Sequence, residues 1–226
     1  MALSVVGVAA AIVLTPLLMP PPASDAAAFA NLTVVVFTAA AVPVALFVWV
    51  FLGYSLVAFR SRQRPESYAP RVLAGPMTQI GWLLVTGMLT LFLVSWGLYG
   101  MFVQAADPPN TLIVDVTGQQ WAWSYSYPQY HVKTSQLELP ANRPVQFRVV
   151  SRDVLHGFSI VELGVRVDAN PGEPVTAPAV TPNRTGTYQV RCIELCGLYH
   201  SLMSSTVRVV PQADFTAWIA QQGGHP

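Results

Sequence analysis

Charge is what this chain has least of. Asp, Glu, Lys and Arg make up 10% of its 226 residues, against about 25% in an ordinary soluble domain. The formal net charge is +1, which excludes a strongly basic nucleic-acid binder and an acidic tail. The scarcity is uneven. Between Met1 and Arg60 the only charged side chain is Asp25, whereas residues 107–226 carry eight Lys/Arg and nine Asp/Glu. Cysteine is scarcer still: the chain has two, Cys192 and Cys196, four positions apart. No internal repeat and no low-complexity tract is visible.

What fills the chain instead is apolar, at 53%. The stretch from about Phe29 to Phe59 has no charge and contains Pro43, Trp49 and Tyr54. At about 1.5 Å per residue it spans a hydrocarbon core of about 30 Å with residues to spare, and membrane helices tolerate a bending proline. A second uncharged stretch runs from about Met77 to Val103. Residues 29–103 therefore read as a transmembrane hairpin. Its loop, 60–76, holds Arg60, Arg62, Arg64 and Arg71, which places it in the cytoplasm and the flanking regions on the opposite side. Residues 1–28 have two readings: a signal peptide cleaved near the alanines at 26–28, or an extra short hydrophobic helix that stays.

After the paired prolines of Gln104–Thr111 the pattern changes period. LIVDV, WAWSYSY, VQFRVV, TYQVRC and STVRVV are short runs rich in β-branched and aromatic residues, separated by LPANRP, ANPGEP and TPNRTG. Such spacing predicts an all-β sandwich or barrel over 104–226. ADFTAWIAQQ predicts one or two turns of amphipathic helix.

The chemistry collects near the end of that domain, in CIELCGLYHSLM. A cysteine pair in an exported domain is ordinarily a disulfide. But a disulfide needs neither His200 nor Met203 beside it, and a loop this small gains little from closure. Thioether next to thiolate and imidazole points to copper. His156, at the far end of VQFRVVS, supplies a second imidazole, while His131 and His225 read as loop histidines. A blue single-copper site uses one thiolate. Two thiolates for two imidazoles fit two bridged copper ions, one His on each. Zinc would use two Cys and two His, yet has no need of the thioether, and the ligand spacing is not that of a zinc finger.

These residues resemble the binuclear CuA motif of subunit II of the haem-copper oxidases. VTGQQWAWSYSYP, DVLHGFSI and RVDANPGEP agree with further segments of that family in order, and the resemblance covers about residues 29–210. It implies a cupredoxin-like Greek-key barrel behind the helical hairpin. It also implies that Cys192 and Cys196 bridge two coppers, with His156 and Met203 completing one ion and His200 and the Glu194 carbonyl the other. The Glu194 carboxylate would reach a magnesium site shared with subunit I, and Trp121 would be where electrons arrive.

The family further implies a multi-pass subunit of a prokaryotic plasma (inner) membrane, with its copper domain on the periplasmic or extracellular face. Its partners would be subunit I, further small membrane subunits, and a cytochrome c or cupredoxin donor. Three positions depart from the family. Gln79, three residues before Trp82, stands where a proton-admitting Glu is usual. Ser126 replaces a frequent Glu in a stretch, 124–137, without acids, so donor docking is expected to be mostly apolar. Gln119 replaces a His that is not a ligand. Gln79 keeps open a nitric oxide reductase as the enzyme served, and a stand-alone copper carrier is a third reading.

Overall fold

The structure is a computed structural model that describes residues 2–60, 75–105 and 108–225. Most of the arginine-rich loop expected over 60–76, with Arg62, Arg64 and Arg71, lies outside the described residues. The chain divides into two compact units. One comprises Met1–Leu18 and Thr33–Met101, the other Met19–Leu32 and Phe102–Pro226.

The first unit is helical. Helix α1 spans Ala2–Leu17, α2 Asp25–Ala58 and α3 Pro76–Gln104. Helices α2 and α3 are both long and apolar enough to cross a membrane. Their large side chains point outward: Phe47, Trp49, Trp82 and Phe102 are each at least 65% exposed. A helix apolar on its outer surface needs an apolar surrounding. Polar side chains on these helices find partners within the protein, as that surrounding requires. Thr86 and Thr90 donate to the carbonyls of Trp82 and Thr86, and the Trp96 indole donates to Thr33 Oγ1 at 3.0 Å. Helix α1 runs close against α2, since a Cβ on Gly7 would stand 2.8 Å from Val42.

The second unit is two five-stranded sheets. Its strands are β1 (Leu112–Gln119), β2 (Ala122–Tyr127), β3 (Val132–Thr134), β4 (Leu137–Pro140), β5 (Val145–Ser151), β6 (His156–Ile160), β7 (Val165–Ala169), β8 (Val175–Thr176), β9 (Gly186–Cys192) and β10 (Ser204–Val210). The first sheet runs β3-β2-β1-β5-β8, the second β4-β10-β9-β6-β7. Both are mixed: β1 with β5 and β4 with β10 are parallel, the remaining pairs antiparallel.

Alternation in β1 and β5 sends Leu112, Val114, Val116, Phe147 and Val149 inward. They join Tyr127, Phe158, Ile160 and Leu139 in one core, where each large side chain contributes about 1.5–3 kcal/mol by burial. Helix α4 (Gln212–Gln221) closes one side, its Phe215 and Trp218 meeting Tyr127 at ring-centroid distances of 6.0 and 5.4 Å.

The segment leading into α2 belongs to this β unit. Ala23 N–H donates to the Glu162 carbonyl, and the Ala23 carbonyl accepts from Asn183 N–H. Ser24 Oγ donates to Leu163 O at 2.8 Å and accepts from Ala27 N–H at 3.0 Å, capping the helix. Ala23, Ser24 and Ala27 are buried. Gly164, at φ +70°, permits the approach, because a Cβ there would stand 2.8 Å from Ala27 N.

Candidate metal centre

The β9–β10 hairpin gathers the donors. Its closing bond runs from Cys192 N–H to the Met203 carbonyl, and Ile193 N–H donates to Gly157 O at 3.0 Å. The loop thus lies directly over the start of β6, whose first residue is His156. That approach needs a glycine: a Cβ on Gly157 would stand 2.5 Å from Ile193 and 3.0 Å from Glu194.

All the sequence-predicted ligands converge. Both cysteines are free thiols and buried, with their sulfurs 3.8 Å apart. Cys192 Sγ lies 3.9 Å from His156 Nδ1, and Cys196 Sγ lies 3.5 Å from His200 Nδ1. Met203 Sδ is 3.7 Å from Cys196 Sγ, and the Glu194 carbonyl is 3.3 Å from Cys192 Sγ. The ligand atoms of His156, Cys192 and Cys196 all fall within 4.8 Å of one another. Metal–thiolate bonds are about 2.3 Å for zinc, so sulfurs at this spacing can share an ion. Each sulfur has its own imidazole, and His156 and Met203 are essentially inaccessible.

The electrostatics ask for a cation. Burial raises the Cys196 thiol pKa, and the neighbouring Cys192 raises it further. Two thiolates side by side in an apolar wall are stable only with positive charge between them. Three sulfurs, two imidazole nitrogens and a carbonyl make a donor set suited to soft or borderline metals.

Residues the sequence did not single out hold this geometry. Asp153 Oδ1 lies 2.8 Å from His156 Nε2. This fixes the proton on Nε2 and leaves Nδ1 free to ligate. Asp153 also accepts from the N–H groups of Gln120 at 2.7 Å and Val154 at 2.7 Å. Burial works to raise its pKa, but these hydrogen bonds and the His156 ring outweigh it and hold the carboxyl at about 2. Gln120 donates from its amide to the Cys196 carbonyl at 2.7 Å, so one residue ties the β1–β2 turn to both the ligand loop and Asp153. The order D-V-L-H was the available signal, placing a carboxylate three residues before the ring.

Trp121 follows in the same turn, after a cis peptide. It meets Tyr199 of the ligand loop edge-to-face, centroids 4.7 Å apart, and covers Gly197, whose φ of +117° lets the loop pass beneath. Glu194 is half-exposed. His131 and His225 are not in the donor cluster: His131 caps a short 3-10 helix in the left-handed region, and His225 N–H donates to Tyr130 O.

Two long apolar helices followed by a two-sheet domain with this hairpin define the class: a membrane protein carrying a cupredoxin-like domain with a candidate metal site. Residues 132–210 match the family described as the periplasmic domain of cytochrome c oxidase subunit II, and the chain resembles cytochrome c oxidase subunit II through that domain. It is 40% identical over 110 residues to cytochrome c oxidase subunit 2 of Thermostichus vulcanus, covering 49% of this chain and 33% of that one. It is 32% identical over 176 residues to cytochrome c oxidase subunit 2 of Bacillus sp. (strain PS3), covering 71% and 49%. The chain thus spans a third to a half of the lengths of these relatives. A solved periplasmic domain of cytochrome oxidase subunit II from Bradyrhizobium japonicum aligns with TM-score 0.48 and 28% identity, over 51% of this chain and 96% of that one.

Proposed function

We propose that this chain is the electron-accepting subunit of a membrane haem-copper terminal oxidase. Its β domain would lie on the periplasmic or extracellular face of a prokaryotic plasma membrane. Cys192 and Cys196 would hold two copper ions between them, with His156, Met203, His200 and the Glu194 carbonyl as the outer ligands. Bound there, copper would supply one-electron redox chemistry. The observation that carries this reading is the pairing of two buried sulfurs 3.8 Å apart, each with its own imidazole, and a buried thioether alongside. A four-coordinate zinc site has no use for the sixth donor or the thioether.

The chain's own contribution is rigidity and dryness. The hairpin, Asp153 and Gln120 fix the donors, and burial excludes water, so the ligands have little room to move between oxidation states. Trp121 closes the site towards solvent and is the residue through which a donor's electron would arrive. The donor would be a cytochrome c or a small copper protein, and the acceptor would be haem in subunit I, where oxygen is reduced to water. Glu194 would share a magnesium site with that subunit, and small membrane subunits would complete the assembly.

Metal analysis of the complex purified from its native membrane tests the centre. Two coppers are expected in this chain, with the hyperfine pattern of one electron shared equally by two copper nuclei. Cys192→Ser or Cys196→Ser should abolish that signal. One copper with a single blue absorption band, or stoichiometric zinc, would overturn the assignment.

A further inference from the structure

The outer face of the first sheet carries a cationic shelf that reaches the Trp121 turn. Lys133, Ser126, Asp115 and Arg148 stand in register across β3, β2, β1 and β5. Arg152 follows at the end of β5, its N–H bonded to the Gly118 carbonyl. Together with the hydroxyls of Ser124 and Thr117 they line an open concavity of about 720 Å³. Asp115 is the only acid in that lining, and it is taken by Arg148 at 2.7 Å. Among the described residues Lys133 and Arg152 have no ion pair, and both are exposed. Two unspent positive charges therefore face outward.

Their place decides what they are for. Strand β2 leads from Trp121 into the shelf, and its four steps from Ala122 to Ser126 cover about 14 Å at about 3.4 Å per residue. A standard protein interface buries about 800 Å² per partner, a disc of roughly 16 Å radius. A partner seated on Trp121 with that footprint reaches the near end of the shelf at Arg152, whose N–H is bonded to Gly118, three residues before Trp121. The same footprint has an apolar middle, with Leu198 82% and Leu155 41% exposed. Apolar centre and charged flank is the usual anatomy of a transient interface.

We infer that the electron donor is an acidic protein, whose carboxylates meet Lys133, Arg148 and Arg152 while its redox group approaches Trp121. This rests on the reading of Trp121 as the point of electron arrival. It replaces the expectation of a mostly apolar docking: acids are missing from 124–137, and Lys133 of that stretch lines one concavity with Arg148 and Arg152.

The test uses the intact oxidase complex and two soluble c-type cytochromes of similar potential, one acidic and one basic, followed by stopped-flow absorbance. The acidic donor should react faster at low salt and slow by about tenfold towards physiological ionic strength, where charges beyond about 8 Å are screened. The Lys133→Glu/Arg152→Glu double variant should slow the acidic donor by about tenfold or more and speed the basic one. Its copper spectrum and its rate with a small neutral reductant should not change. An acidic-donor rate indifferent to salt and to the double variant overturns the proposal, as does a preference for the basic donor. Inhibition by inorganic phosphate at constant ionic strength would make the shelf a small-anion site and overturn it too. If neither protein reduces a complex that the neutral reductant does reduce, electron arrival at Trp121 fails, and the proposal falls with it.

Discussion

At the scale of single residues, the position of greatest leverage outside the ligand set is Asp153. Its carboxylate orients His156 and receives the backbone of the Trp121 turn, so a change there disturbs the ligand and its cover together. In Asp153→Asn the amide has one oxygen to serve both Nε2–H of His156 and N–H of Gln120, and one of those donors is left unmet. Losing such an outer partner costs about 10–100-fold in metal affinity, and competition with a copper chelator should show a loss of that size. The variant should also remove an acid-sensitive contribution to stability. Because the folded-state value is depressed to about 2, Asp153 contributes fully above its ordinary value of about 3.9, and that contribution fades as pH falls towards 2. Denaturation of wild type and variant should therefore converge in strong acid and separate at neutral pH. Equal chelator resistance would remove Asp153 from the positioning role.

At the scale of elements, the segment Ala23–Ala27 joins the start of α2 to the β unit by its own bonds. Ser24→Ala removes both the cap on Ala27 N–H and the donor to Leu163 O, in a residue 1% exposed. Loss of an N-cap alone costs about 1 kcal/mol, and the now unpaired Leu163 carbonyl adds to it. Thermal unfolding of the β unit in the detergent-solubilised chain should shift down by several degrees; no shift would mean the segment is only laid against the sheet. Composition could not announce this contact, because the partners lie some 139 positions away in sequence. MPPPASDAAA reads as punctuation, and only the fold supplies Leu163 and Gly164. The same reasoning explains which strands were legible. LIVDV, VQFRVV and STVRVV alternate strongly and became β1, β5 and β10. Strands β4 and β6 are buried at every position, Glu138 and Ser159 included, so their polar residues face protein where an apolar/polar alternation implies solvent. ADFTAWIAQQ became a helix of ten residues, its apolar positions facing the core. The ligand set was legible because its spacing is local, whereas Gln120 reaches Cys196 across 76 positions.

At the scale of the whole molecule, the proposed centre would make folding and metal binding one equilibrium. A metal that binds only the native β unit stabilises it by about 4.1 kcal/mol when present at a thousand times its dissociation constant. In domains of about 60–100 residues each kcal/mol moves the melting temperature by about 4–8 °C, and by about 2–4 °C in larger ones. Without the metal, the same unit keeps the Cys196 thiol, whose ionisation burial opposes and the neighbouring Cys192 opposes further. Two predicted consequences can be read in one experiment on the full chain in detergent, with calorimetry or circular dichroism following the β transition. Stripping copper should lower that transition by about 10 °C or more, while the helical signal from α2 and α3 persists. A Cys192→Ser/Cys196→Ser variant should melt at one temperature with or without added copper, because nothing remains to bridge. If the stripped wild type melts where the loaded protein does, the donors form a preassembled cluster whose stability owes nothing to a metal, and folding is not coupled to metal binding.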